Sequence, residues 1–242
     1  MKIIAAFALL LLALGGMGCY SLPDEGDFQA GMEAFAKGDY DTAMKKWKPL
    51  AEQGNPSAQT NMGVMYYQGL GVRRDYGEAF KWYQMAAMRG YADAEFNLGV
   101  AFADGHGAPQ DYREALRWYQ LAAQQGYAPA QLMLGDLYSH GRGVGVDYEK
   151  AANWYRQAAE QGYSAAVFIL GSLYVAGQGV PRDFVQAYLW FSVAAMQDNT
   201  AARQNALNNR ELVARQMTPS QIAEAEELVK EWKPKKAGEG NK

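Results

Sequence analysis

ADGHGAPQDYREALRWYQLAAQQGYA, residues 103–128, sets a Gly-His-Gly turn before a Trp-Tyr pair and an Ala-rich run. Glycine-rich turns cradle phosphates in some folds, and a histidine inside one invites a catalytic reading. The residues that follow decide otherwise. Asp111 stands where a helix would begin, and Glu114 lies three residues on, the spacing of a capping box in which the acid reaches back to the cap's own N–H. Ala115, Trp118, Tyr119, Ala122 and Ala123 then recur at helical spacing, and Gly126 ends the run. A phosphate loop would follow a strand, but no alternating apolar pattern flanks this turn. Asp111 therefore reads as a cap rather than an acid catalyst, and GHG as a reversal between two helices.

The stretch is one copy of a repeat. Ala43, Ala79, Ala115, Ala151 and Ala187 keep a spacing of 36 residues, as do Gly63, Gly99, Gly135 and Gly171, and Ala58, Ala94, Ala130 and Ala166. Trp47, Trp82, Trp118, Trp154 and Trp190 follow at 35, 36, 36 and 36. The first helix of each unit shows Ala94, Leu98 and Phe102 on one face, beside Gly99, which admits a partner helix at close range. The second opens at Asp75, Asp111, Asp147 or Asp183. Asp75 with Glu78 and Asp183 with Gln186 repeat the capping box, whereas Asp147 is followed by Lys150. Between the helices lie GLGV, GHGA, GRGV and GQGV. His106 and His140, the only histidines, fall in different slots of different units and are expected to be solvated. A zinc site needs three or four converging ligands, so no metal or cofactor is expected.

The rest of the chain brackets this array. A net charge of −3 over 242 residues leaves no basic footprint for nucleic acid. Residues 1–19 place Lys2 before an apolar run from Ile3 to Leu14, shorter than the roughly 20 residues that span a bilayer, and read as a secretory signal. Cys19, the only cysteine, sits where that run ends, so lipidation at Cys19 competes with ordinary signal cleavage. Either route exports the chain to the periplasm, and no second cysteine exists for an internal disulfide. Residues 26–54 form a shortened first unit without the GxGV turn, an N-terminal cap. Residues 55–197 hold four full units, 198–233 two capping helices with Thr218, Pro219 and Gln221 opening the last, and 234–242 a polar tail expected to be disordered.

The motif A-x-x-x-L-G-x-x-Y/F-x-x-G-x-G-V-x-x-D-Y/F-x-x-A-x-x-W-Y/F-x-x-A-A-x-x-G resembles the Sel-1-like repeat, a relative of the tetratricopeptide repeat; the first unit is closer to the latter. The resemblance implies an all-α fold, a right-handed solenoid of antiparallel helix pairs, used as a non-enzymatic adaptor for protein complexes, often at the bacterial envelope. A cysteine-rich branch of that family is linked to β-lactam hydrolysis; this chain lacks its repeated cysteines and any S-x-x-K nucleophile motif, so that activity ranks last. A concave surface lined by the first helices is the expected partner site. Helical spacing selects Tyr67, Phe96, Val100, Asp104, Leu132, Asp136, His140, Phe168 and Ser172, with Tyr67, Phe96, Leu132 and Phe168 as anchors and Asp104 and Asp136 for a basic group. Against this, Phe96, Leu132 and Phe168 would equally fill core between units. The expected partner is an envelope protein or peptide; polysaccharide or peptidoglycan is the alternative.

Overall fold

In the computed structural model the described residues are 25–196 and 200–235; the segment expected to be a signal, Cys19 and the tail from residue 236 lie outside them. They form helix pairs stacked in chain order. α1 (Glu25–Ala36) and α2 (Tyr40–Glu52) make the first pair, followed by α3 (Pro56–Gln68) with α4 (Tyr76–Ala87) and α5 (Ala92–Asp104) with α6 (Tyr112–Gln124). Next come α7 (Ala128–His140) with α8 (Tyr148–Glu160) and α9 (Ser164–Ala176) with α10 (Phe184–Ala195), before α11 (Thr200–Ala214) and α12 (Pro219–Glu231). Each pair packs on the next, and α3 also touches α5, so the first helices form an inner layer and the second helices an outer one.

The pairs close through glycine and aromatic side chains. A Cβ on Gly99 would lie 2.6 Å from the Tyr119 ring, so the ring lies flat on bare α5 backbone. Leu98 and Ala94 beside it are fully buried. The same contact joins Gly63 to Tyr83, Gly135 to Tyr155 and Gly171 to Phe191, and in the cap it joins Gly31 to Trp47. Trp47 thus occupies the slot of Tyr83, Tyr119 and Tyr155 rather than that of Trp82. Its spacing of 35 to Trp82, but 36 to Tyr83, marks the shift, and its indole N–H donates to the Phe28 carbonyl at 3.2 Å.

The capping aspartates are in place, but the boxes are one-sided. Asp75, Asp111, Asp147 and Asp183 accept from the N–H of Glu78, of Arg113 and Glu114, of Lys150 and of Gln186. Each cap's own N–H is already spent: Asp75, Asp111, Asp147 and Asp183 donate to the carbonyls of Tyr66, Phe102, Tyr138 and Tyr174 in the preceding helix at 2.9–3.0 Å. Glu78 and Glu114 turn outward to Lys81 and Arg117 instead. Thr218, whose N–H meets Gln221 Oε1 at 2.9 Å, forms the full box.

α11 takes the position of a first helix against α10, but α12 does not pair with it. α12 folds back over the outer layer, packing Leu228, Val229 and Trp232 against the cluster that holds Leu189, Trp190 and Val193. Trp232 and Pro234 then settle beside Gly162, and Lys235 donates from its backbone to the Glu160 carbonyl at 2.8 Å and from Nζ to Glu160 Oε2 at 2.9 Å. Residues 234 and 235, expected in the disordered tail, are pinned there.

Candidate functional site: the inner face

The first helices α3, α5, α7 and α9 each carry one stripe that the partner helix and neighbouring units cover only in part. On α5 it runs through half-buried Asn97 and Val100 to exposed Asp104; their equivalents are Asn61, Val64 and Gln68 on α3, Met133, Asp136 and His140 on α7, and Ile169, Ser172 and Ala176 on α9. Val100, Asp104, Asp136, His140 and Ser172 therefore stand on the stripe expected for them. The expected anchors sit one position off it. Leu132 is 8% exposed and turned into the stack. Phe96 is half-buried against Tyr119 and Tyr127, with ring centroids 5.7 and 5.4 Å away, and Phe168 lies 5.4 Å from Phe191. A helical residue covers the surface over the turn before it, which swings these side chains toward the neighbouring element. Leu132 is thus corrected from groove anchor to core, and Phe96 and Phe168 to side chains shared between core and groove.

The centre of the stripe is a cluster of phenols and carboxylates. Tyr155 crosses Gly135 to donate its hydroxyl to Asp136 Oδ1 at 2.6 Å, with Ser139 Oγ at 3.2 Å. Burial first, and then the negative field of Asp104 and Asp136, push the Tyr119 phenol above its usual range. Tyr67 shifts the same way, from burial and then from Asp104; for Tyr155, burial is joined by its bond to Asp136. All three phenols hold their protons at neutral pH, and Tyr155 donates to Asp136, a carboxylate that keeps acceptor capacity for a ligand. His140 is exposed, with Nδ1 2.9 Å from Ser139 Oγ and from the Asp136 carbonyl.

His106 is not the solvated loop residue that its position in GHG implied. Its ring stacks on Tyr76 with centroids 4.1 Å apart and planes 1° apart, and Nδ1 shares a hydrogen bond with the Tyr67 hydroxyl at 2.9 Å. Gly107 causes this: it has φ of 84° and abuts the Tyr76 carbonyl so closely that a Cβ would not fit. The residue before it is thereby laid on the first aromatic ring of the previous outer helix. Arg142, in the same slot one unit on, lies over Tyr112 at 5.7 Å. The second glycine of each GxG thus joins units as well as turning the chain, a role legible only in the one-residue variation between its flanks.

A mostly apolar recess lies beside the stripe at the last unit: a cavity of about 330 Å³ between α9, α10 and α11, lined by Ser164, Ala165, Phe168, Ala194, Ala202 and Asn205. Among the described residues no three His, Cys, Asp or Glu side chains converge as metal ligands would.

Comparison with known proteins agrees with this architecture. The chain matches the Sel1 repeat over residues 56–91, 92–127, 128–163 and 164–199, each unit one inner and one outer helix with the link that follows. A Sel1 repeat protein of Oxalobacter formigenes aligns at 30% identity with a TM-score of 0.66, covering 81% of this chain and 88% of that one. An immunity protein of Pseudomonas aeruginosa, at 19% identity with a TM-score of 0.52 over 86% and 84%, shares the fold. So does a Sel1 repeat protein of Klebsiella pneumoniae, at 20% and 0.50 over 78% and 91%. No curated protein matches the chain. Four consecutive units, their glycine and aromatic contacts and these relatives lead to one conclusion: the chain belongs to the Sel1 repeat family, an α-solenoid of the kind that serves protein–protein interaction.

Proposed function

We propose that the chain is an exported, non-enzymatic scaffold that holds a partner protein in the bacterial envelope by taking a segment of it along the inner face. The observation that carries this is the continuity of that face: Val64, Val100, Asp136 and Ser172 occupy one stripe at a repeat of 36 residues across four consecutive helices. Its mixture of half-buried apolar and polar groups suits an extended chain, whose alternate side chains and backbone need both. Export rests on the apolar segment ahead of Cys19, which would place the solenoid in the periplasm, with lipidation of Cys19 as an anchor.

The test is site-specific photocrosslinking in cells. Benzoylphenylalanine at Asn97 or Ser172, on the inner stripe, is expected to yield one common protein adduct, while the same group at Leu121, exposed on α6, yields none. Adducts from Leu121 alone, or unrelated adducts at the two inner positions, would place the partner elsewhere. Fractionation of the same cells checks export: recovery of the chain in the cytoplasm with residues 1–19 intact would remove the envelope from the proposal.

A further inference from the structure

The inner and outer layers differ in charge as well as position. The inner helices α1, α3, α5, α7 and α9 contain no lysine or arginine, yet carry Glu25, Asp27, Glu33, Asp93, Glu95, Asp104 and Asp136; α11, which takes a first helix's position at the end of the stack, carries Arg203 and Arg210. The outer helices α2, α4, α6 and α8 carry eight lysines and arginines among their acids. Several of those outer cations pair within their own helix or its cap: Lys48 with Glu52, Lys81 with Glu78, Arg117 with Glu114, Lys150 with Asp147. Lys46 also reaches the first inner helix at Asp27, in the cap. Asp104 and Asp136 stand in none of the ion pairs among the described residues. Both lie on the stripe in adjacent units, Asp104 one helical turn further along its helix than Asp136, with the protonated phenols of Tyr67, Tyr119 and Tyr155 near them and Tyr155 donating to Asp136. The next inner helix, α9, is uncharged, and the recess at Phe168 lies beside its stripe.

We infer that the segment taken along the inner face is an extended basic one, with lysine or arginine side chains set against Asp104 and Asp136 and an apolar side chain in the recess between α9, α10 and α11. This deepens the scaffold reading and rests on it. The charge argument is one of complementarity. Two carboxylates on inner helices without cations repel each other and attract any cation that can approach, and the half-buried phenols lower the local dielectric that would screen them. The spacing follows from the repeat. Packed helices stand about 8–10 Å apart, and an extended chain rises about 3.3 Å per residue, so neighbouring units are met by side chains about three residues apart. A guanidinium suits the site better than an ammonium, because its fork can donate to Asp136 while its flat face lies on Tyr119 or Tyr155.

The test uses the chain from residue 20 onward and a fluorescein-labelled peptide, FGSRGSRGSRGSF, read by anisotropy at low and at physiological salt. The peptide presents an apolar end in either direction. Its Arg-to-Glu counterpart is expected to bind at least tenfold more weakly. D104N with D136N should cost about tenfold and flatten the salt dependence, while E114Q on the outer layer, which also removes negative charge, leaves binding unchanged. Phe168→Ala should weaken the Phe-ended peptide about fivefold and its Ala-ended counterpart not at all. The amide introduced by D136N retains an oxygen for the Tyr155 hydroxyl, and matched thermal melts check that each variant is folded. Equal binding of the Glu peptide, equal losses from E114Q and D104N/D136N, or no binding of the Arg peptide at 1 mM would each overturn the inference. Inner-face crosslinks obtained alongside such a failure would leave the scaffold reading standing with a partner of other chemistry, an acidic segment or a glycan-bearing one. Arg-selective binding without a crosslinked partner would do the reverse.

Discussion

At the scale of a residue, the sharpest departure from the repeat is Glu95. Its equivalents Gln59 and Gln131 are buried amides whose Nε2 donates to the Ala51 and Ala123 carbonyls at the end of the previous outer helix, at 3.0 and 3.3 Å. Glu95 is as deeply buried, at 3% exposure, but an ionised carboxylate has no hydrogen to offer the equivalent Ala87 carbonyl; it accepts from Gln125 Nε2 at 2.7 Å instead. Burial raises its pKa above the ordinary 4.5, against the lowering by Gln125. The folded chain therefore holds more proton than the unfolded chain between the two pKa values, and stability falls as pH rises through that window. Glu95→Gln is expected to gain about 1 kcal/mol at pH 8 and nothing at pH 4, read from urea denaturation at both. A gain independent of pH would assign it to packing. Nothing in the chain's hydrophobic pattern singles Glu95 out, because a Glu in a helix is ordinarily a surface residue; comparing the four units position by position does.

At the scale of an element, the sequence states where the second helices begin, while the structure decides which half of each cap acts. Asp111→Ala is expected to cost about 1 kcal/mol, since it frees the N–H groups of Arg113 and Glu114. Glu114→Ala should stay within about 0.5 kcal/mol, because the arm that a capping box would assign it has no donor to meet and its partner Arg117 is exposed. Thermal melts of the two variants separate a one-sided cap from a reciprocal one: equal losses would restore the box. The reason is not legible in D-Y-R-E. The N–H of Asp111 is claimed by Phe102, nine residues back, and only the folded path of the GxG link brings that carbonyl into reach. The inner stripe has the same character. Helical spacing places Val100, Asp104, Asp136, His140 and Ser172 on it, and misses by one position for Leu132, because the outward direction of a helix in a stack depends on the tilt of its neighbours.

At the scale of the molecule, a solenoid is stabilised by nearest-neighbour interfaces, so its ends need covers. α12 supplies one by an unexpected route, lying over α10 and tying Lys235 to Glu160. Ending the chain after Met217 is expected to lower stability by about 2–4 kcal/mol, through exposure of what Leu228, Val229 and Trp232 now cover. The loss should fall first on hydrogen-exchange protection in α10, while α3 to α6 stay protected. Uniform loss along the stack would instead show that the units unfold as one. The sequence by itself determined the period, the helix pairs, the capping aspartates and the helix-packing glycines, because those depend on contacts within one unit and are written again in each copy. Tertiary structure alone decided that His106 stacks on Tyr76, that α12 folds back, and that Asp104 and Asp136, on inner helices without cations, come near the phenols of Tyr67, Tyr119 and Tyr155. Each of these joins residues of different units or of the ends, where the repeat is broken or crossed, and a period carries no record of such contacts.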